Sequence, residues 1–238
     1  MTDQPEPKHA TLKEMAEDAS GFGVAELRLT RDLIVRPAAA MAAYDEHGST
    51  AGGKYPRPLR YYLALNGLIL LINAMAGGVE RTVMAGDARL LDLLVRRTDK
   101  SREEFIADMD QWVGILSVPA YTLVMVLPIF LLISRWSPLN WRADLGQTFS
   151  YLNAWTLYQT PLMVLVLIDP SGFAGLSVAL MLALGVVVYA RVGRGRWWRT
   201  AAGAWGKGAL LTLVILVAMI PASVAVFGGA ALGAIYLP

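Results

Sequence analysis

The chain has 238 residues, of which 55% are hydrophobic, with a mean hydropathy of +0.47 and a formal net charge of +2. This apolar content exceeds that of ordinary soluble domains and indicates a membrane protein, whereas the small net charge gives no indication of nucleic-acid binding. The chain has no cysteine, which excludes disulfides, thiolate zinc sites and cysteine nucleophiles, and its two histidines, His9 and His47, lie outside the apolar runs. We therefore expect no metal and no cofactor.

The N-terminal segment is polar and acidic. It is rich in Pro, Glu, Asp and Lys and holds too few large apolar side chains to form a core. We predict that residues 1–22 are a disordered N-terminal tail. The segment lacks the apolar core of a cleavable signal, so the first apolar run is expected to act as an internal signal-anchor. The high usage of Ala, Gly, Leu and Arg is typical of a GC-rich bacterium.

Residues 23–57 are predicted to form cytoplasmic amphipathic helices and a linker. Thr30 is the expected N-cap of the first helix, with Asp32 placed favourably in its first turn. Because the φ angle of proline suits the first turn of a helix, we expect one helix to end near Arg36 and a second to begin at Pro37.

The first of these helices is predicted to be amphipathic. Its apolar side is formed by Leu29, Leu33 and Ile34. Its basic side is formed by Arg28, Arg31 and Arg36. Such a helix suits the headgroup surface of a membrane, and it equally suits packing on the cytoplasmic loops of the same protein. The two alternatives are compatible.

Five apolar runs follow, and each is long enough to cross a hydrocarbon core of ~30 Å as a helix. The predicted fold is therefore an all-α, polytopic membrane bundle of five transmembrane helices within residues 58–238, accompanied by short amphipathic interfacial helices. The last run is longer than one crossing needs, and we favour a single helix over a span that ends near Val226 and continues as an interfacial piece. The predicted spans cover residues 60–79, 112–134, 147–168, 173–190 and 208–235.

Basic residues between the last two spans predict the orientation. This loop carries four arginines and Lys207 but no acid, so the positive-inside rule places it and the N-terminus in the cytoplasm, with the protein in the bacterial inner membrane. We expect several basic side chains to contact anionic lipid headgroups, at about 1 kcal/mol each, with Trp197 and Trp198 at headgroup depth. These basic residues are Arg31, Arg36, Arg194, Arg196, Arg199 and Lys207.

The connector of residues 80–111 is predicted to lie outside the cell membrane and to contain two helices. One runs from Ala88 to Val95, and its leucines share one side. The other begins with a capping-box pattern formed by Ser101 and Glu104 and is expected to continue directly into span two. The connector would form a small cap on the outer leaflet or a docking surface.

A motif before the first span resembles one found in a bacterial inner-membrane family of unknown function. It combines a helix with Arg-Asp-Leu and Arg-Pro, a tyrosine, a glycine-containing basic connector and Tyr-x-x-Pro. In layout the family is similar to Yip1-type proteins, which have a cytoplasmic N-terminus and five spans. The resemblance implies a membrane-embedded, non-enzymatic protein, although this chain lacks the cysteine-rich zinc ribbon with which many members begin. The matching positions are Arg31, Asp32, Leu33, Arg36, Pro37, Tyr44, Lys54, Tyr55, Pro58 and Arg60.

Span three is the most polar of the five and is expected to turn its polar face inward, because unbonded polar groups in lipid are costly. Asn66 and Asn73 in span one are seven residues apart and share one side of their helix. With Asn153 and Gln159 of span three, they are candidates to line a polar cavity that accepts a solute or a lipid headgroup. The alternative is that these side chains form interhelical hydrogen bonds that define bundle packing.

Ala225, Gly229 and Gly233 form a row of small residues at intervals of four in the last span. Such a row permits the close approach of another helix. That helix could belong to a partner protein or to the same bundle, and the sequence leaves both uses open.

The apolar interiors of the predicted spans contain no Asp, Glu, His, Lys or Arg, so we expect no catalytic residue and no intramembrane proton relay. The predicted function is that of a non-enzymatic accessory or scaffolding subunit, which binds membrane lipids and docks on another membrane protein or on a second copy of itself. One alternative is a small transporter or lipid-translocating protein that uses the polar face of span three. Another is an interfacial lipid-modifying enzyme that uses Asp144, Asp169 or arginines.

Overall fold

The computed structural model of the chain describes residues 23–80, 88–168 and 170–236. Within these ranges the chain is helical and forms no strand, so the predicted all-α class is confirmed. The predicted disordered tail of residues 1–22 lies outside the described residues. The helices are α1 (Val24–Val35), α2 (Pro37–His47), α3 (Pro58–Met75), α4 (Ala88–Val95), α5 (Arg102–Trp136), α6 (Trp141–Ile168), α7 (Pro170–Val192) and α8 (Ala201–Tyr236), and a 3-10 turn covers Ala51–Gly53.

The junction between α1 and α2 follows the prediction, because a single residue separates the end of α1 from Pro37, the first residue of α2. The predicted N-cap is wrong. Helix α1 already begins at Val24, where the Glu26 carboxylate accepts a hydrogen bond from the backbone N–H of Gly23 at 2.9 Å and so satisfies one free N–H of the first turn. Thr30 lies inside α1 and donates to the Glu26 carbonyl one turn earlier.

One side of α1 is buried against the protein. Leu29 and Leu33 are 1% and 0% exposed, and α1 contacts α2 and α6, so these two side chains pack on the protein itself. Ile34, predicted to share their side, is 44% exposed, because it lies one position outside the i, i+4 register of the two leucines. The opposite side of α1 keeps large apolar groups exposed, with Leu27 and Val35 each at 63%.

The five long helices α3, α5, α6, α7 and α8 pack into one bundle. The most extensive contact is between α5 and α8, while α6 packs against α3, α5 and α7, and α7 packs against α8. The N-terminal cap, which we define as residues 23–57, sits on one end of this bundle through contacts of α1 with α6 and of α2 with α6 and α7. We call this the cap end.

The links between the long helices alternate between the two ends of the bundle. At the cap end, loops 137–140 and 193–200 lie beside α2, since residues of both loops line one groove with Asp45. At the opposite end, the connector between α3 and α5 meets the C-terminal turn of α8, where the Lys100 ammonium donates to the Ala234 carbonyl at 2.8 Å. We call this the connector end.

Among the described residues, two helices, α5 and α8, are long and apolar enough to cross a membrane by length and composition. Of their most apolar stretches, only 17% in α5 and 33% in α8 is buried inside the protein. Most of this apolar surface therefore needs another cover, for which lipid is suited. These features favour a membrane protein, while the five predicted crossings are not confirmed by this criterion. Exposed side chains along the two helices include Leu123, Leu127, Leu131, Val217, Ile220 and Val224.

Helix α8 is continuous from Ala201 to Tyr236 and contains Pro221 in its interior. The predicted single helix is therefore confirmed, and the alternative with a break near Val226 is wrong. The physical reason is that Val226 and Ala230 are 1% and 0% exposed and belong to an apolar core shared with α5. Packing against α5 keeps the second half of α8 helical inside the bundle rather than at an interface.

The polar face of α6 points inward, as predicted. Part of the cost of burying it is met within the helix, since the hydroxyls of Thr148 and Thr160 donate to carbonyls one turn earlier. The amides of Asn153 and Gln159 donate to backbone carbonyls of α3 and α7. The buried polar residues of α6 include Gln147, Thr148, Ser150, Asn153, Thr156 and Gln159.

The capping box predicted at the start of α5 is confirmed. The Glu104 carboxylate accepts from the Ser101 backbone N–H at 2.8 Å, and Ser101 Oγ accepts from the Glu104 N–H at 3.3 Å. Helix α5 then continues without a break to Trp136, as predicted for a helix that runs into span two. The other connector helix covers Ala88–Val95 as predicted, and its Leu91 is buried.

Candidate functional site

Residues of the motif before the first span meet around Asp32, whose side chain is 1% exposed. Its Oδ1 accepts from Arg31 Nη2 at 2.8 Å and from Arg36 Nε at 3.2 Å, and its Oδ2 accepts from the Tyr55 hydroxyl at 2.6 Å. The Lys54 ammonium lies 4.0 Å from Oδ2. Three cationic side chains and one hydroxyl therefore surround a single buried carboxylate. We call this the Asp32 cluster.

The Asp32 carboxylate is held in its ionised form. Burial raises the pKa of a carboxyl group, but hydrogen bonds from Tyr55, Arg36 and Arg31, together with the charge of Arg31, hold the pKa of Asp32 well below its ordinary value. The same carboxylate raises the pKa of Arg36. The cluster therefore joins α1 to the linker before α3 as a structural ion-pair network.

Tyr44 of α2 packs against the same cluster. Its ring centroid lies 5.7 Å from that of Tyr55, and its hydroxyl donates to the Pro56 carbonyl at 2.7 Å. Burial raises the pKa of the Tyr44 hydroxyl, which keeps it protonated and able to donate. The Thr30 and Tyr61 hydroxyls, 2.5 Å apart, join α1 to α3. Much of the motif thus builds the N-terminal cap, which gives its residue pattern a structural explanation.

A second cluster joins α2 to α6 and to loop 193–200. It consists of Asp45, Gln147, Arg196 and Trp197, and we call it the cap latch. Arg196 Nε and Gln147 Nε2 donate to the two carboxylate oxygens of Asp45 at 2.6 and 2.7 Å. The indole N–H of Trp197 donates to Gln147 Oε1 at 3.0 Å. Three segments that are remote in sequence are thereby held together at the cap end.

The Trp197 ring is 1% exposed and packs in an aromatic cluster inside the bundle. It stacks on Tyr189 with centroids 5.7 Å apart and meets Tyr151 edge-on at 5.8 Å. The Lys207 ammonium donates to the Trp197 carbonyl at 2.7 Å and lies 5.2 Å from the centroid of Trp136. The Trp197 ring, which was predicted to lie at headgroup depth, therefore packs against protein side chains.

Further contacts hold the C-terminal end of α1. The Arg191 guanidinium of α7 donates to the Val35 carbonyl at 2.9 Å and to the Tyr158 hydroxyl. The Tyr158 hydroxyl in turn donates to the Ile34 carbonyl at 2.8 Å. A cation is favourable here, because the last carbonyls of a helix lack partners within it. From the sequence, Arg191 was only one of several basic residues that follow a predicted span. No local pattern in the sequence indicates that it contacts the end of α1.

The six basic residues predicted to contact headgroups divide into two groups. Four of them have partners within the protein: Arg31, Arg36, Arg196 and Lys207. Arg194 and Arg199 are exposed, and across residues 23–80, 88–168 and 170–236 neither side chain forms an ion pair or a hydrogen bond. These two guanidinium groups are therefore the ones available to an external anion.

Arg194 and Arg199 stand in the wall of a groove of about 880 Å³ between the start of α2 and loop 193–200. We call this the arginine groove. Trp198 also lines it, as do the backbone and small side chains at the beginning of α2. No acidic residue is among its lining residues in the described part of the chain. Its charged side chains are Arg36, Arg191, Arg194 and Arg199.

Three of the four residues predicted to line a polar cavity donate hydrogen bonds to backbone carbonyls. The Asn153 amide donates to the first residue of α3 at 3.0 Å, and the Gln159 amide donates to α7 at 3.1 Å, so both bonds are interhelical. Asn66 donates to a carbonyl one turn earlier in its own helix, and Asn73 is half-buried. Among the described residues, Asn153 Oδ1 and Gln159 Oε1 are buried and have no hydrogen-bond partner.

Two of the three small residues in the predicted row pack against α5 of the same chain. A Cβ at Gly233 would lie 2.6 Å from the Trp112 ring, and a Cβ at Gly229 would lie 2.9 Å from Leu116 Cδ1. Both glycines therefore allow the close approach of α5 and α8. Ala225 is exposed, so it is the member of the row that an external partner can reach.

No family model, curated protein or solved structure matches this chain. Of the two acids named for an interfacial enzyme, Asp144 is 2% exposed at the start of α6 and Asp169 lies outside the described residues. The described residues contain no group of three or more His, Cys, Asp and Glu side chains arranged to hold a metal ion.

Proposed function

We propose that this chain is a non-enzymatic accessory or scaffolding protein of the bacterial inner membrane. It crosses the membrane five times with its N-terminal cap in the cytoplasm, docks on another membrane protein through the outer side of α1, and binds anionic lipid beside it. The main support for the proposal is that one side of α1 is anchored while the other is exposed. This helix is held on the bundle by its buried leucines and by bonds from Tyr61, Tyr158 and Arg191, and the Asp32 cluster joins it to the linker. Its outer side nevertheless exposes large apolar groups.

The arrangement of the long helices supports five crossings. Helix α3, the shortest of the five, has 18 residues and spans about 27 Å at 1.5 Å per residue, close to the thickness of a hydrocarbon core. The N-terminal cap, loop 137–140 and loop 193–200 lie at one end, while the connector and the end of α8 lie at the other. This alternation is what an odd number of crossings requires. The cap end also carries the arginine groove, in agreement with the positive-inside rule.

Topology is tested with single cysteines, since the chain has none of its own. Asp99 at the connector end and Leu139 at the cap end are both exposed. In spheroplasts, we expect a membrane-impermeant maleimide to label Asp99→Cys at once and Leu139→Cys only after the membrane is permeabilised. Equal labelling of both sites in intact spheroplasts, or release of the protein by an alkaline wash, would contradict the five-span proposal.

The outer side of α1 has the character of a docking surface. Val24, Leu27, Ile34 and Val35 are 44% to 63% exposed on this side of α1, where the exposed Arg31 lies among them. An exposed apolar patch on a soluble part of a protein usually marks contact with a partner or a membrane. Because the opposite side of α1 is anchored, a partner that binds here contacts a surface that is already ordered, which lowers the entropic cost of binding.

Docking is tested by photocrosslinking in cells. A benzophenone amino acid at Leu27 is expected to give a discrete adduct with one membrane protein, and the same probe at Leu139 is the matched control, because Leu139 is also exposed at the cap end but lies away from α1. The double substitution Leu27→Ser and Val35→Ser should abolish co-purification of that protein. Migration of the native-membrane protein alone as a monomer, with no adduct at Leu27, would rule out the docking role.

A second candidate function is transport of a polar solute or a lipid headgroup along α6. The buried oxygens of Asn153 and Gln159, which lack protein partners among the described residues, favour it, because such groups are costly unless something bonds to them. Under this alternative, Asn153→Leu or Gln159→Leu abolishes flux in reconstituted vesicles while the protein stays folded. Under the accessory role, both variants keep the adduct at Leu27.

A further inference from the structure

The arginine groove has an excess of positive charge that the fold itself does not use. Arg36 is partly neutralised by Asp32, whose oxygens lie 3.2 and 3.3 Å from it. Arg191 donates to the Val35 carbonyl, which carries no net charge. Arg194 and Arg199 have no ion-pair partner among the described residues. The groove therefore holds three uncompensated positive charges and part of a fourth, because Arg36 shares Asp32 with Arg31 and Lys54.

The arrangement of these four arginines is suited to binding an anion. Arg36 and Arg191 are held in place by their bonds within the protein, so they form an ordered background at the wall of the groove. Arg194 and Arg199 are free to turn toward a ligand, and each guanidinium can present two parallel N–H groups to phosphate oxygens. The start of α2 also lines the groove, and the partial positive charge of a helix N-terminus adds to that of the arginines.

We propose that the arginine groove binds a phosphate-bearing anionic group, with Arg194 and Arg199 as the residues that contact it. This inference rests on the proposed function, because the cytoplasmic placement of the cap end makes an anionic phospholipid headgroup the nearest source of such a group. A soluble phosphate compound has the same chemistry, and the experiment distinguishes the two sources. Arg196 and Lys207 are excluded from the site, since their charged groups are engaged within the protein.

The site is tested by native mass spectrometry of the delipidated full-length protein in neutral detergent. The probes are phosphatidylglycerol and phosphatidylcholine with identical acyl chains. Phosphatidylglycerol should bind more tightly, and the double substitution Arg194→Gln and Arg199→Gln should weaken its binding about 30-fold. The control substitutes Arg28→Gln and Arg57→Gln, which removes the same charge from exposed positions outside the groove, and it should leave binding unchanged.

The source of the phosphate group is resolved by competition. If excess inorganic phosphate displaces phosphatidylglycerol, and the groove variant loses that displacement, the groove accepts soluble phosphate. If it does not displace the lipid, the ligand is the anionic headgroup of the lipid. Either result supports a phosphate site.

The proposal is overturned if phosphatidylcholine binds as tightly as phosphatidylglycerol, or if the groove and control variants weaken binding equally. A measurement on the unmodified protein provides an independent check should a variant fail to fold. Added salt should weaken the binding of phosphatidylglycerol, because salt screens exposed charges. An affinity that does not change with salt concentration would contradict the site. Lipid binding is measured on the purified protein, so a negative result does not bear on docking to a partner. Conversely, absence of the adduct at Leu27 does not bear on lipid binding.

Discussion

Replacing Asp32 by asparagine should loosen the N-terminal cap while leaving the bundle folded. The substitution removes the charge that accepts hydrogen bonds from Tyr55, Arg31 and Arg36. The Tyr55 bond is fully buried, and a bond to a charged group contributes about 1.5–3 kcal/mol. The two arginine side chains are 63% and 54% exposed, so their screened pairs add only about 0.5 kcal/mol each. The expected loss is therefore about 3 kcal/mol of local stability.

Hydrogen exchange measured by mass spectrometry is the assay for this loss, because it reports opening of α1 and α2 separately from the bundle. A loss of about 3 kcal/mol predicts exchange about 100-fold faster for backbone amides of α1 in Asp32→Asn. Glu46→Gln is the matched control, since it removes an acid from the same cap at a side chain that is 68% exposed. Unchanged exchange in Asp32→Asn, or equal acceleration in Glu46→Gln, would refute the role given to the Asp32 cluster.

The same cluster predicts a pH dependence. The folded state holds the pKa of Asp32 below its ordinary value, so this contribution to stability is fully present above the unfolded-state pKa of about 4. It is lost as the pH falls from there through the lower folded-state pKa. Cap protection in the unmodified protein should therefore decline in acid below about pH 4. Asp32→Asn should lack that part of the decline, because its side chain does not titrate.

Two further substitutions test the packing of the bundle. Gly233→Val should destabilise the contact of α5 with α8 by about 1–3 kcal/mol, because a Cβ at Gly233 would already overlap the Trp112 ring. Trp197→Phe keeps an aromatic ring on Tyr189 but leaves Gln147 Oε1 without its donor, which should cost about 1–3 kcal/mol. For both variants the measurement is the thermal unfolding midpoint in detergent, which should fall.

Matched controls separate these effects from the mere loss of a residue type. Gly228→Val places its Cβ where nothing lies within 4 Å, so its unfolding midpoint should stay that of the unmodified protein. Trp205→Phe alters a ring that is 65% exposed and should likewise have no effect. If the unfolding midpoint of either control falls as far as that of its partner variant, loss of the assigned contact is not the cause of the destabilisation.

Local signals in the sequence were sufficient for the helices and several of their ends. The capping box of Ser101 and Glu104 and the helix start at Pro37 were predicted correctly, because both depend on bonds or dihedral preferences within a few residues. The inward polar face of α6 was also predicted, because unbonded polar groups are costly in lipid. The single helix α8 was favoured over a broken one, and its packing against α5 accounts for its continuity. The N-cap at Thr30 failed, because the Glu26 carboxylate caps the helix earlier.

The candidate site was only partly predictable. The motif predicted before the first apolar run includes Asp32 and Tyr55, yet the sequence could not show that they bond to each other. Asp45 was not singled out at all, and its partner Arg196 lies 151 positions away in the chain. Such a pair depends on which loops the topology brings to the same end of the bundle. A pattern of neighbouring residues in the sequence does not indicate which loops will meet.

The sequence by itself determined that this chain is helical, that its long helices are apolar, and that residues 193–200 carry three arginines and no acid. Those properties follow from side-chain chemistry at helical intervals. Only the tertiary structure decided which cations remain available. Arg196 is engaged by Asp45, which is 151 positions away, and Lys207 by the Trp197 carbonyl and the Trp136 ring. Arg194 and Arg199 face solvent beside Trp198. The physical reason is that a charge is neutralised by whatever lies within a few ångströms in space, whatever its distance along the chain.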